Sequence, residues 1–365
     1  MKNVKLGEIS IITKLAGFEH TEYIQKNSSK SQNDNFSIPL FIGRTIRDGQ
    51  ISESDYEWFI PKHISDLLPR SQLKEKCLVM PYVGTVGDIA IFDKPYRCHL
   101  GSNVAKITLC DNSIFSEEYI YYYLKSTNGQ AQIKKHIQGA IQKNITMEKL
   151  RDIEIELISV ERQEKIVKIL SAIDSQIQRN NDMVHKLQVL GSTIYSKKLQ
   201  SIKSFKNIDL SEIKTGKEDA NFATANGKYK FFTCSEDTFL CDTFAFEGKS
   251  ILVAGNGNFN VKFSDGRFNA YQRVYVISNN EEYGNLYYTY LYNVQALSQK
   301  ANGSIIKFLT LDMLKNIHVP IFSVETNKLL NDVVFKIYHI DEQNKKLHKL
   351  KFDLLPLLIN GQLFI

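Results

Sequence analysis

The sequence predicts an α+β protein made of two similar domains separated by two long antiparallel coiled-coil helices, with approximate twofold symmetry. Three observations predict it. The stretch Gly139-Ala-Ile-Gln-Lys-Asn-Ile-Thr146-Met-Glu-Lys-Leu150-Arg-Asp-Ile153, running on to Ser159-Val160-Glu161, returns 164 residues later as Gly303, Thr310, Leu314, Ile317, Ser323, Val324 and Glu325. Within each copy, short apolar runs bounded by turn residues alternate with helical segments. After each copy the apolar period changes to heptad spacing.

Taken in chain order, the first domain is expected over residues 1–160. Its strands are read at 37–42, 76–82 and 104–109, and a helix around 117–125. The Ser, Asn and Asp of 28–35 read as a loop, which places there much of the first copy's extra length of about 40 residues. A helix over 161–206 follows, with Ile166, Leu170, Ile173, Ile177, Asn180, Val184, Leu187, Gly191 and Ile194 alternately four and three apart. The second domain is expected over 207–324, opening on Leu210-Ser-Glu-Ile213 as the first opens on Leu6-Gly-Glu-Ile9. Its strands are read at 231–234, 250–254 and 273–277 and its helix around 286–293. The last helix, 325–365, carries Leu330, Val333, Ile337, Ile340, Asn344, Leu347, Lys351, Leu354 and Leu358 in the same rhythm. One Asn stands in each aliphatic seam, a substitution that either fixes register or is merely tolerated.

Composition narrows the function classes. The chain has 365 residues, 43% hydrophobic and 24% charged, the balance of a soluble globular protein long enough for two cores. Cys77, Cys98, Cys110, Cys234 and Cys241 form no CxxC pair and are odd in number, so neither a zinc site nor a disulfide framework is expected. No signal peptide opens the chain, and the longest apolar run, 354–365, is too short to span a bilayer. A cytoplasmic protein without metal or cofactor is the expectation. The net charge is +6, and residues 161–206 hold most of the excess, with 9 Lys and Arg against 4 Asp and Glu. The two domains are near neutral, so any contact with nucleic acid must come from local patches.

Gly84-Thr-Val-Gly87 after a strand, the Gly139 to Val160 stretch followed by Glu161-Arg-Gln163 and a long helix, the repeat from Gly303, and the ending Leu354-Leu-Pro-Leu-Leu-Ile-Asn-Gly361 together resemble the specificity subunit of Type I restriction-modification enzymes. The resemblance covers the whole chain. It implies two target-recognition domains, each reading one half of a bipartite double-stranded DNA site. It also implies partners, two methyltransferase subunits and the restriction subunits, which carry the chemistry. The second copy departs from the first: Glu325-Thr-Asn327 stands for Glu161-Arg-Gln163, and Gly255-Asn-Gly257-Asn258 stands where the first has Gly84-Thr-Val-Gly87.

Arginine matches the guanine edge and lysine more often neutralises phosphate, so basic residues near predicted loops are the candidates for DNA contact. In the first copy these are Lys26, Lys30, Arg44, Arg47, Arg97 and Lys143, with Thr85 on the glycine turn. In the second they are Lys217, Lys228, Arg267, Arg273 and Lys307, with Asn256 and Asn258 on the equivalent turn. The glycine turns either cradle phosphate or are plain tight turns. Tyr119, Tyr121, Tyr122 and Tyr123, like Tyr287, Tyr288, Tyr290 and Tyr292, encircle a helix and are expected to pack against a sheet rather than stack on bases. No Walker pair, HExxH or nucleophile elbow is present, and His185 and His348 read as surface residues of the repeated helices. Two other readings stay open. Asp152, Glu154 and Glu156 share one face of a strand, as a nuclease would require, and the heptads alone would serve an interaction protein without a DNA role. From Ile166 to Ile194 the helix runs about 42 Å, close to one turn of DNA, so two short read blocks with an unread gap are expected.

Overall fold

The computed structural model describes residues 3–363 apart from 48, 113, 140–141, 208–212, 258 and 301–307, and only the backbone of 295 and 297–300. The chain forms two compact units, residues 1–175 with 348–365, and residues 176–347.

In the first unit the main sheet is antiparallel, in the order Ser10–Lys14, Val104–Leu109, Cys77–Pro81, Ala90–Phe92. The central strand Cys77–Pro81 is buried at every residue. Its alternating side chains divide between two cores: Leu78 and Met80 join the tyrosine-rich helix Glu117–Lys125, while Cys77 and Val79 join a second sheet. A strand covered on both faces reads as an unbroken apolar run, which is why it stands out in the sequence. The second sheet runs Phe59–Ile60, Ile38–Phe41, Cys98–Leu100, Gln72–Leu73, with Ile38–Phe41 parallel to Cys98–Leu100. Ser116 caps the tyrosine helix, its Oγ accepting from the Tyr119 N–H at 3.1 Å, and Tyr119, Tyr121, Tyr122 and Tyr123 are all buried. These rings pack the core. A short antiparallel ladder of Asn3–Lys5 with Glu154–Glu156 closes the domain.

The small antiparallel pair Ile46–Arg47 with Gln50–Ile51 belongs to the first unit; the second unit repeats the order of both four-stranded sheets. Its main sheet runs Ile213–Thr215, Val274–Ser278, Ser250–Ala254, Val261–Ser264, under the helix Tyr283–Lys300. The strand Ser250–Ala254 is again fully buried, with Ile251 and Val253 in one core and Leu252 in the other. The second sheet runs Thr238–Cys241, Tyr229–Phe232, Arg267–Ala270, Phe246–Glu247, with Tyr229–Phe232 parallel to Arg267–Ala270. Phe205–Asn207 pairs with His318–Pro320 as Asn3–Lys5 pairs with Glu154–Glu156. The repeated threonines serve the same purpose: Thr146 and Thr310 each cap a five-residue helix, accepting from Lys149 N–H and Met313 N–H at 3.2 Å.

Two long helices, Val160–Ser201 and Val324–Ile359, each run through both units. In the first unit Ile166 and Leu170 bury against Leu358 and Ile359, and Asp174 pairs with Lys351. In the second, Tyr195 shares a core with Leu330 and Val334. The pairing is antiparallel in each. Ile173, Ile177 and Val333 are buried as well, whereas Val184, Leu187, Ile337, Ile340, Leu347 and Leu354 are half-buried. Asn180 and Asn344 meet inside the second unit: Asn180 Nδ2 donates to Asn344 Oδ1 at 2.7 Å, Gln176 Nε2 donates to Asn180 Oδ1 at 2.8 Å, and Asn344 Nδ2 donates to Asn181 Oδ1 at 2.9 Å. Among the described residues no helix is long and apolar enough to cross a membrane.

Candidate nucleic-acid interface

In the first copy the strand Cys77–Pro81 leaves its sheet at Tyr82, whose main chain is held on both sides. The Tyr82 N–H donates to the Asn103 carbonyl at 2.9 Å, and its carbonyl accepts from the Ile145 N–H at 2.9 Å. The turn that follows is tied by the Gly84 N–H, which donates to the Lys143 carbonyl at 2.9 Å. Gly84 and Gly87 have φ of 86° and 102°, a region that side chains disfavour, so the turn requires glycine for its backbone. With the Gly84 amide so used, turn formation rather than phosphate cradling accounts for that residue. Thr85 and Lys143 are both exposed here. A Cβ at Gly43 would lie 3.9 Å from Thr85 Oγ1, which brings the Arg44 turn alongside, and Lys14 Nζ stands 5.1 Å over the Tyr82 ring.

In the second copy Gly255 takes the place of Tyr82. Its N–H donates to the Arg273 carbonyl at 2.8 Å and its carbonyl accepts from the Leu309 N–H at 2.7 Å. Asn256 bridges to Phe308 as Val83 bridges to Asn144, and Gly257, with φ of 70°, then occupies the place of Gly84. Setting Gly255 against Gly84, as the sequence reading did, is two residues out of register; hydrogen bonds fix the correspondence. A Cβ at Gly255 would sit 2.6 Å from the Arg273 carbonyl oxygen, so close backbone approach requires this glycine. Gly255, Gln272, Arg273, Tyr275 and Phe308 line a cleft of about 240 Å³, and Asn256 is bridged to Phe308 at its side. Lys217 follows Gly216, whose N–H donates to the Val274 carbonyl at 3.1 Å, so it too lies beside Arg273. Asn258 and Lys307 lie outside the described residues.

Ion pairing sorts the remaining basic candidates. Arg44 pairs with Glu57, Arg47 with Asp55, Arg97 with Asp66, Arg267 with Glu247 and Lys26 with Glu22. The Arg97 hydrogen bond holds the Asp66 carboxyl below the usual carboxylate range, and Glu247 raises the Arg267 guanidinium further. Lys30 lies 5.2 Å over the Trp58 ring and Lys228 5.4 Å over that of Tyr229. Lys143, Lys217 and Arg273 are exposed and take part in none of the ion pairs among the described residues. The structure thus brings Thr85 and Lys143 together in one copy, and Lys217, Asn256 and Arg273 in the other. It adds Lys14, Asn103, Gln272 and Phe308, which sequence reasoning missed. Asn103 carried a faint signal as a polar residue just before a strand; Phe308 stands in an apolar stretch, Ile305 to Leu311, where nothing sets it apart.

Two of the three carboxylates weighed as a nuclease site, Asp152 and Glu154, are engaged elsewhere. Asp152 accepts from Lys5 at 3.0 Å and pairs with Lys149, which holds its carboxyl below the usual range, and Glu154 accepts from Asn3 Nδ2 at 3.2 Å.

Comparison with known proteins gives consistent results. A family model described as Type I restriction modification DNA specificity domain matches residues 1–188 and again 200–351. The Type I restriction enzyme EcoDI specificity subunit of Escherichia coli is 36% identical over 132 residues, 34% of this chain and 29% of that protein. In that match the chain spans less than a third of the relative's length. The crystal structure of the Type I restriction-modification system S subunit from M. genitalium aligns over 98% of this chain and 95% of that one, with a TM-score of 0.63 and 18% identity, a likeness of fold. The HsdS subunit from Thermoanaerobacter tengcongensis aligns over 99% and 97%, with a TM-score of 0.40 and 13% identity.

Proposed function

Because this chain belongs to the Type I restriction modification DNA specificity family, we propose that it is the subunit of a Type I restriction-modification system that reads a two-part DNA target, one domain to each half. The observation that carries this is the duplicated edge. Two domains sharing the order of both four-stranded sheets present corresponding turns, anchored by matching hydrogen bonds at Tyr82 and Gly255, but with different exposed side chains. A common scaffold with divergent loops is how related domains come to bind different sequences. Residues 1–160 and 207–324 are the reading domains in this proposal, and 161–206 and 325–365 the segments that carry the long helices Val160–Ser201 and Val324–Ile359. Thr85 and Lys143 contact the first half-site; Lys217, Asn256 and Arg273 contact the second.

The chain performs no chemistry of its own in this reading. Methyl transfer and cleavage belong to separate subunits in the cytoplasm. A duplicated surface accepts one partner twice, so two methyltransferase subunits are expected. The reading domains are near neutral, whereas interfaces with DNA are strongly positive, so these partners also supply phosphate contacts.

The test is to express the chain with its methyltransferase and sequence the methylation pattern of the host DNA. Two short blocks of different sequence with an unread gap are expected. A contiguous or perfectly palindromic target would refute the proposal, as would methylation or cleavage by the purified chain alone.

A further inference from the structure

Resting on the DNA-reading role above, we propose that the second domain reads a guanine beside a thymine, Arg273 taking the guanine and Phe308 the thymine methyl. At the same two places the first domain presents amides. Arg273 and Phe308 flank a single residue, since Gly255 donates to the Arg273 carbonyl and accepts from Leu309, next to Phe308. Both side chains line the cleft at Gly255, so they can address one short run of base pairs together.

Their chemistry is specific. Arg273 is exposed and joins none of the ion pairs among the described residues, unlike Arg44, Arg47, Arg97 and Arg267. Its guanidinium fork is therefore free to meet guanine O6 and N7. Phe308 is 55% exposed and makes no ring contact among the described residues. An apolar ring at a major-groove edge finds one apolar group there, the thymine C5 methyl. In the first domain Asn103 and Asn144 occupy the equivalent places, and an amide pairs with adenine N6 and N7. The two domains thus share a scaffold and read by different chemistry.

The test uses the chain in complex with its methyltransferase and oligonucleotides carrying its mapped target. One half-site is expected to contain adjacent guanine and thymine. Replacing that thymine by uracil, which lacks only the methyl, should weaken wild-type binding roughly fourfold, the worth of one buried methyl. Replacing the guanine by 7-deazaguanine should weaken it roughly tenfold. Phe308→Ala should bind the thymine and uracil duplexes alike, and Phe308→Leu should still prefer thymine. Arg273→Ala should bind the guanine and 7-deazaguanine duplexes alike. All three variants should keep discrimination at the other half-site. A target without adjacent guanine and thymine overturns the inference, and so does a wild type indifferent to uracil. If the wild-type complex discriminates at neither half-site, the DNA-reading role itself fails.

Discussion

Asn180 and Asn344 occupy equivalent positions of the repeat, and each is the other's hydrogen-bond partner. Removing one amide leaves the other buried without it. Asn180→Ala should therefore destabilise the second unit by about 1–3 kcal/mol in urea unfolding, and the double change to Leu should recover most of that loss. An additive double-mutant cycle would show that the pair is merely tolerated. His99 offers a pH-dependent counterpart in the first unit. Burial holds its imidazole below the usual histidine range, and its Nδ1 lies 2.9 Å from the Leu100 carbonyl. The unfolded chain takes up a proton near pH 6.5 that the folded one resists, so the stability is complete above that pH and lost as pH falls below it. The loss should reach at most about 1.4 kcal/mol per pH unit. Trp58 is the sole tryptophan and lies in the first unit, so its fluorescence during urea unfolding at pH 7 and pH 5 is the readout. A midpoint that falls equally in His99→Gln would assign the effect to other groups.

Elements were legible in the sequence where burial leaves a simple pattern. Val104–Leu109 and Glu117–Lys125 match their sequence-based bounds, the first through its apolar run and the second through its cluster of tyrosines. The two-residue strands Phe59–Ile60, Gln72–Leu73 and Phe246–Glu247 were not legible, because so short a segment carries no period and its pairing is non-local. Charges posed the same difficulty. Arg97 lies 31 residues from Asp66 and Lys94 lies 41 from Glu53, so the sequence displays a cation and hides its partner. Gly191 is the converse, a residue unfavourable in a helix whose reason lies in another element. A Cβ there would fall 1.8 Å from Tyr288 Oη, whereas one at Gly17 would meet nothing within 4 Å. Gly191→Ala should lower stability by about 1–3 kcal/mol through overpacking despite the gain of about 1 kcal/mol in helix propensity. Gly17→Ala should leave the melting temperature nearly unchanged. Equal melting temperatures for the two variants would show that Tyr288 moves aside freely.

At the scale of the whole molecule, the repeat carried the architecture, because a period of 164 residues is visible without knowing any contact. The reading surface did not follow from it, since the repeat records what the two copies share and the surface lies where they differ, as at Asn144 and Phe308. The division into units has its own consequence. The second unit is one continuous stretch, Gln176–Leu347, while the first is completed by His348–Ile365. A chain ending at Leu347 should keep the second unit's hydrogen-exchange protection. Its first unit should lose about 3–6 kcal/mol with the buried side chains of Leu358 and Ile359. Equal protection of the first unit in both chains would refute this. During synthesis the same division sets an order in time. The second unit has all its parts before the first does, and the apolar stripe at Ile166 and Leu170 stays uncovered until Leu358 and Ile359 have left the ribosome. The unit begun first is the one finished last, and that interval is when a nascent chain is most open to chaperones and proteases.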